Sequence, residues 1–183
     1  MEKVKVLGID PGTLRLGWSV CEGNSSHVDR LASGCISLGA SSVPIAERLN
    51  EIQVQLRPIL SKYNLGVLAL ESAFFGSNAR SALRIGEARG VVLMLAAEFG
   101  LHIYEVSPAT VKLRIAGNGQ ASKEQVLNLV RAHLKDSTFA PDTEDESDAV
   151  AIALTAFFDM NIGTKCDRKS LKKAKLPLGS KYQ

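Results

Sequence analysis

The sequence has no apolar stretch approaching the roughly 18 residues that a membrane-spanning helix needs, so no membrane role is expected. It also shows no basic segment followed by a long apolar run and a small-residue cleavage site. Met1-Glu2-Lys3 leads straight into a strand-like run, which predicts a cytoplasmic protein rather than an exported one. Cysteine is scarce: Cys21, Cys35 and Cys166 are too few and too irregularly spaced for a disulfide framework or a C-x-x-C zinc site, and reduced thiols are expected. No internal repeat is present. Net charge is small, +3 over 183 residues, and its distribution says more than its sign. From Asn161 onward seven basic residues (Lys165, Arg168, Lys169, Lys172, Lys173, Lys175, Lys181) face the single Asp167, so the excess lies in the tail and residues 1–160 are net negative.

What is present fits one soluble domain with a full core, at 45% hydrophobic and 22% charged residues. The expected division is a domain over 1–160 and a basic flexible extension over 161–183. Residues 4–10, 15–22 and 28–38 read as three strands joined by short turns, hence antiparallel neighbours. Residues 44–62 switch to helical spacing through Ile45, Leu49, Ile52, Leu56, Ile59 and Leu60, with Pro58 expected to bend or shorten the end. Gly66 to Leu70 is a buried-type strand ending in Glu71, 78–99 is a helix, and 101–106 is a fifth strand. Helices follow at 108–116 (capped by Ser107), 123–135 (Ser122, with Gln125 available for a capping box) and 145–159. A meander followed by alternating helices and strands predicts an α/β fold, a mixed five-stranded sheet flanked by helices on both faces.

Two apolar strands end in a carboxylate: Val6-Leu7-Gly8-Ile9 in Asp10, and Val67-Leu68-Ala69-Leu70 in Glu71. An unpaired buried carboxylate is costly and needs a partner or a task. In "DTEDESDAVAIAL" (142–154), Asp145 and Asp148 lie three apart at a helix start, while Ala149, Ile152, Ala153 and Ala156 form a narrow apolar face able to press closely on the sheet. That places all four carboxylates near one another. Convergent carboxylates repel unless they hold cations, and oxygen-only ligands favour Mg²⁺ or Mn²⁺ over zinc. Two such ions roughly 4 Å apart support in-line hydrolysis of a phosphodiester. Simpler roles exist for each residue: a helix cap or dipole partner for Asp145, Asp142, Glu144 and Glu146, a solvated strand end for Glu71, and an Asx turn with Pro11-Gly12 for Asp10.

The segments "GIDPGTLRLGWSV", "LALESAFFGSNARSALRIGEARGVV", "VSPATVKLRIAGNGQASKEQV" and "DESDAVAIAL", in this order over about residues 4–158, resemble the RuvC family of Holliday junction resolvases, which have the RNase H-like fold. The resemblance implies a dimeric endonuclease that binds four-way DNA junctions and makes paired symmetric nicks in recombination and repair. It implies two Mg²⁺ ions, with Mn²⁺ able to substitute, and a RuvAB-like branch-migration complex as a further partner. Asp10, Glu71, Asp145 and Asp148 match the metal-binding catalytic positions, Phe74 the aromatic that stacks on an unpaired base, and Lys112 and Lys123 basic positions near the scissile phosphate. For Phe74 a core contact is the alternative, and for both lysines a solvated helix surface. Arg80, Arg84 and Arg89 are candidates for the DNA surface, with ordinary surface arginines as the default. The helix over 78–99 resembles the element that builds the family dimer. The basic extension goes beyond the usual core and suits sequence-independent phosphate contacts. Rival readings are a YqgF-like nuclease of RNA processing, which would lack the Glu71–Phe74 segment and the Lys112–Lys123 block; an actin-like ATP-binding domain, which needs two lobes; and a junction binder that does not cleave.

Overall fold

Period-two burial along the first strand sets the layers: Leu7 and Ile9 join one core cluster, whereas Val6 joins the other. The computed structural model describes residues 3–24, 26–72 and 79–160. The expectations for Phe74 and for the basic extension lie outside the described residues. Five strands, β1 (Val4–Pro11), β2 (Arg15–Asn24), β3 (His27–Ser37), β4 (Val67–Glu71) and β5 (His102–Val106), form one sheet in the order β3-β2-β1-β4-β5. The first three pair antiparallel, while β4 is parallel to both β1 and β5. This is the mixed sheet that the sequence predicts.

Helices α1 (Ile45–Lys62) and α2 (Ala79–Glu98) cover one face, placing Ile52, Leu56, Val92 and Leu95 against Leu7, Ile9 and Leu70. Helices α3 (Pro108–Ala116), α4 (Lys123–Leu134) and α5 (Glu144–Asp159) cover the other, with Val111, Val126, Val130 and Ile152 packed on Val6, Val67 and Ala69. The caps are as expected. The Ser107 hydroxyl accepts from the Thr110 N–H at 3.1 Å, and Ser122 with Gln125 forms a reciprocal capping box. Gly117, in the left-handed region at φ 68°, closes α3.

Two expectations need correction. Of the bend or shortening expected at Pro58, the shortening does not occur: α1 runs on to Lys62. Proline has no N–H to donate to the Val54 carbonyl, and both residues are exposed, so the unmade bond lies on the solvent side of the helix. The apolar face of α5 is not narrow: every residue from Ala149 to Phe157 is buried, because α3 and α4 pack against α5 in addition to the sheet. Such a helix reads as apolar nearly all round.

Candidate active site

The amino-terminal end of α5 rests on β1 and β2 where those strands carry no side-chain bulk. A Cβ on Gly8 would lie 2.2 Å from the Ala149 carbonyl oxygen, and one on Gly17 would lie 1.9 Å from that of Asp145. Between them Ser19, paired with Gly8, donates its hydroxyl to the Ala149 oxygen at 2.9 Å. Backbone-to-backbone approach of this kind requires glycine. Asp10 is paired with Gly17, so the contact that seats the first turn of α5 lies beside the Asp10 carboxylate. Asp10 stays within the strand instead of opening an Asx turn, and the next hairpin closes through the Gly12 N–H donating to the Arg15 oxygen.

Asp10, Glu71 and Asp148 face one cleft of about 330 Å³, together with Lys112 and Lys123 and with walls of Pro108, Val111, Val126 and Ile152. Asp145 does not line this cleft. It sits at the margin toward β2, close enough for its charge to raise the pKa values of Asp10 and Asp148. Burial, followed by the charges of Glu71, Asp148 and Asp145, pushes the Asp10 carboxyl up to about 7. Glu71 is shifted upward by burial and by Asp148, with Arg89 and Lys123 opposing; Asp148 is raised by burial against the pull of Lys123. Lys123 donates to Glu144 at 2.7 Å and to Asp148 at 3.4 Å, and its pKa is raised, first by the Glu144 hydrogen bond. Among the described residues the Asp10 carboxylate has no hydrogen-bond or ion-pair partner, and the charge of Lys123 offsets only part of the cost of its burial.

The sequence-predicted residues thus divide. Asp10, Glu71, Asp148, Lys112 and Lys123 come together, Asp145 flanks them, and Phe74 lies outside the described residues. Arg80 is exposed and lines a different cleft. Arg84 pairs with Glu87 at 2.8 Å. Arg89 is no surface arginine: only 8% exposed, it pairs with Glu105 and lies near enough to Glu71 to lower its pKa. The cap of α5 is Thr143, whose hydroxyl accepts from the Glu146 N–H, which leaves Asp145 free of that task. Glu146 is not a mere dipole partner either. It is 6% exposed and accepts from the Ser33 hydroxyl and the Asp142 N–H, tying β3 to the loop before α5. No sequence signal marked Glu146, whereas Gly8 and Gly17 within strand patterns were available signs of close backbone approach.

Among the described residues no three Asp, Glu, His or Cys side chains stand close enough to hold a metal ion as they are placed. The chemistry of the donors nevertheless fits hard divalent cations: carboxylates alone line the cleft as candidate ligands, with no thiol or imidazole among the lining residues, and Asp10 is partnerless.

The RNase H-like sheet and the acidic cleft at the carboxyl ends of β1 and β4 define a protein of the nuclease class. Residues 6–156 match the family model for crossover junction endodeoxyribonuclease RuvC, and the chain belongs to that family. The RuvC protein of Roseiflexus sp. (strain RS-1) is 39% identical over 154 residues, 84% of this chain and 90% of that protein. That of Sorangium cellulosum (strain So ce56) is 40% identical over 152 residues, 83% of each chain. Thermus thermophilus RuvC, solved in complex with a Holliday junction substrate, superposes with a TM-score of 0.80 at 33% identity, covering 86% of this chain and 95% of that one. The yeast mitochondrial Holliday junction resolvase Ydc2 shares the fold, with a TM-score of 0.63 at 13% identity over 93% of this chain and 84% of its own. Nucleases of the RuvC family are metal-dependent hydrolases of DNA phosphodiester bonds.

Proposed function

We propose that this chain resolves four-way DNA junctions as a homodimer, making paired symmetric nicks with Mg²⁺ ions held by Asp10, Glu71 and Asp148 and completed by Asp145. The observation that carries the reading is the convergence of three half-buried carboxylates and two lysines on one cleft. When bound, the ions activate water for attack on phosphorus and neutralise charge that develops on the phosphate. Mn²⁺, of similar hardness, substitutes. Lys112 and Lys123 reach the incoming phosphate from α3 and α4, and the Glu144 bond keeps Lys123 protonated. The apolar walls from α3, α4 and α5 lower the polarity beside the carboxylates, which strengthens the charge interactions there.

The dimer is assigned to α2. Leu83 and Met94, 61% and 51% exposed, lie on one stripe of this helix with Gly86 and Gly90, whose Cβ positions meet nothing within 4 Å in the chain. Phe74 is assigned to base stacking, and the extension from residue 161 to phosphate contacts beyond the 1–160 domain. The action is cytoplasmic, with a RuvAB-like branch-migration complex as partner. Among the described residues no helix is long and apolar enough to cross a membrane.

The test is nicking of a labelled synthetic four-way junction beside a linear duplex of the same sequence, with Mg²⁺ and with chelator. Paired nicks on the junction alone, abolished by chelator and by Asp10→Asn, are expected. Tight junction binding without nicking under any divalent ion would overturn the enzymatic reading in favour of a junction-binding protein, and equal action on RNA would revive the RNA-processing alternative.

A further inference from the structure

A second cleft of about 340 Å³ lies on the other side of the β1–β2 turn from Asp10, lined by Thr13, Ser41, Arg48, Arg80, Ser81 and Arg84. Among the described residues no carboxylate lines it. Arg48 is the unusual member: it is 7% exposed, and its buried Nε has no hydrogen-bond partner among the described residues. No ion pair to Arg48 occurs among the described residues either. A buried guanidinium without a counter-charge is costly unless an anion completes it.

Two helix amino termini meet at the same place. Ile45, the first residue of α1, lines the cleft, and no side chain caps that helix. The Glu47 and Arg48 N–H groups donate to the Pro44 carbonyl, whereas no acceptor for those of Ile45 and Ala46 occurs among the described residues. The first turn of α2 contributes Arg80 and Ser81 and contains no acidic residue. The partial positive charge of both helix ends therefore adds to three guanidinium groups. Arg84 also holds Glu87, which offsets part of this charge without entering the cleft.

We infer that the cleft formed by Arg48, Arg80 and Arg84 with the first turns of α1 and α2 is an anion site that binds a non-scissile backbone phosphate of the DNA substrate. It rests on the junction reading only for the source of the phosphate. Asp10 lines the acidic cleft while Thr13 and Leu14, on the turn that follows it, line this one, so a strand whose scissile phosphate sits over Asp10 and that continues past this turn meets the arginines. One cleft repels phosphate until cations enter it, and the other attracts phosphate without them. The second site then sets the register of the strand over the first.

The experiment measures junction affinity of the full chain in chelator over a series of potassium chloride concentrations, for the unmodified protein, Arg48→Gln, Arg84→Gln and the control Arg57→Gln. Arg57 pairs with Glu98 away from the cleft. Loss of one phosphate contact lowers the slope of log affinity against log salt by about 0.9, expected in both cleft variants and not in the control. In parallel, inorganic phosphate should raise the melting temperature of the unmodified protein above that in chloride of equal ionic strength, and less so in the variants. Unchanged slopes in folded cleft variants overturn the DNA assignment, and absence of the phosphate effect as well overturns the anion site. Should Arg48→Gln fail to fold, Arg84→Gln and the exposed Arg80→Gln carry the test. Failure of the junction reading shows differently: the unmodified protein then fails to distinguish a junction from a duplex, while the phosphate arm still reads the cleft.

Discussion

Asp10 carries the largest electrostatic cost in the acidic cleft. With its folded-state pKa near 7 and its ordinary value at 3.8, the metal-free native protein retains a proton that the unfolded chain has released between those values. The unfolded state binds fewer protons there, so stability falls as pH rises from about 4 to about 7. Asp10→Asn removes the penalty. In chelator at pH 8 the variant should unfold at higher denaturant, by on the order of 2 kcal/mol from a shift of about three pKa units reduced for solvent relaxation, and the difference should vanish near pH 3. The same substitution should abolish nicking. Equal stability of variant and parent at pH 8 would show that Asp10 is not crowded as the cleft geometry requires. Mg²⁺ should raise the melting temperature of the unmodified protein and do so much less in the variant, since cation binding relieves the repulsion.

At the scale of the element, the site depends on how closely α5 lies on the sheet. Gly17→Ala puts a methyl group onto the Asp145 carbonyl, so the first turn of α5 must retreat and carry Asp145 and Asp148 with it. A cost of about 3 kcal/mol is expected, together with loss of nicking measured well below the melting point. Normal nicking in a destabilised Gly17→Ala protein would detach the α5 seat from function. Gly86→Ala provides the contrast. Its Cβ meets nothing within 4 Å among the described residues, so chemical denaturation of a monomeric background should show a gain of up to about 1 kcal/mol from helix propensity. These two helices also show where reading the sequence was most and least informative. The helix spans were legible from spacing and caps, but a Gly-rich strand and an Ala-rich helix do not announce that they touch, because the contact joins residues over 100 positions apart.

For the whole molecule, the arrangement of charge is more telling than its total. The net-negative residues 1–160 nevertheless present an arginine-lined cleft beside an acidic one, which composition alone conceals. The exposed stripe of Leu83, Gly86, Gly90 and Met94 is the surface on which two copies would bring two acidic clefts to one junction. Met94→Glu should convert the proposed dimer to monomer in analytical ultracentrifugation and uncouple the proposed paired nicks, leaving the melting of the monomer within about 0.5 kcal/mol of the parent because the residue is exposed. A variant that remains dimeric would place the interface elsewhere.

By itself the sequence determined the element order, the mixed sheet and the carboxylates that end its apolar strands, since hydrophobic period and turn chemistry are local properties. Its motifs also identified the resolvase family. Only the tertiary structure decided which charged groups share a cavity. It put Asp145 at the margin of the cleft, buried Arg89 and Glu146, and left Arg48 without a counter-charge among the described residues. Those outcomes depend on which faces meet when α5 settles on Gly8 and Gly17 and when the first turns of α1 and α2 converge. Burial and pairing belong to that packing, because one residue's solvent and partners come from segments distant along the chain.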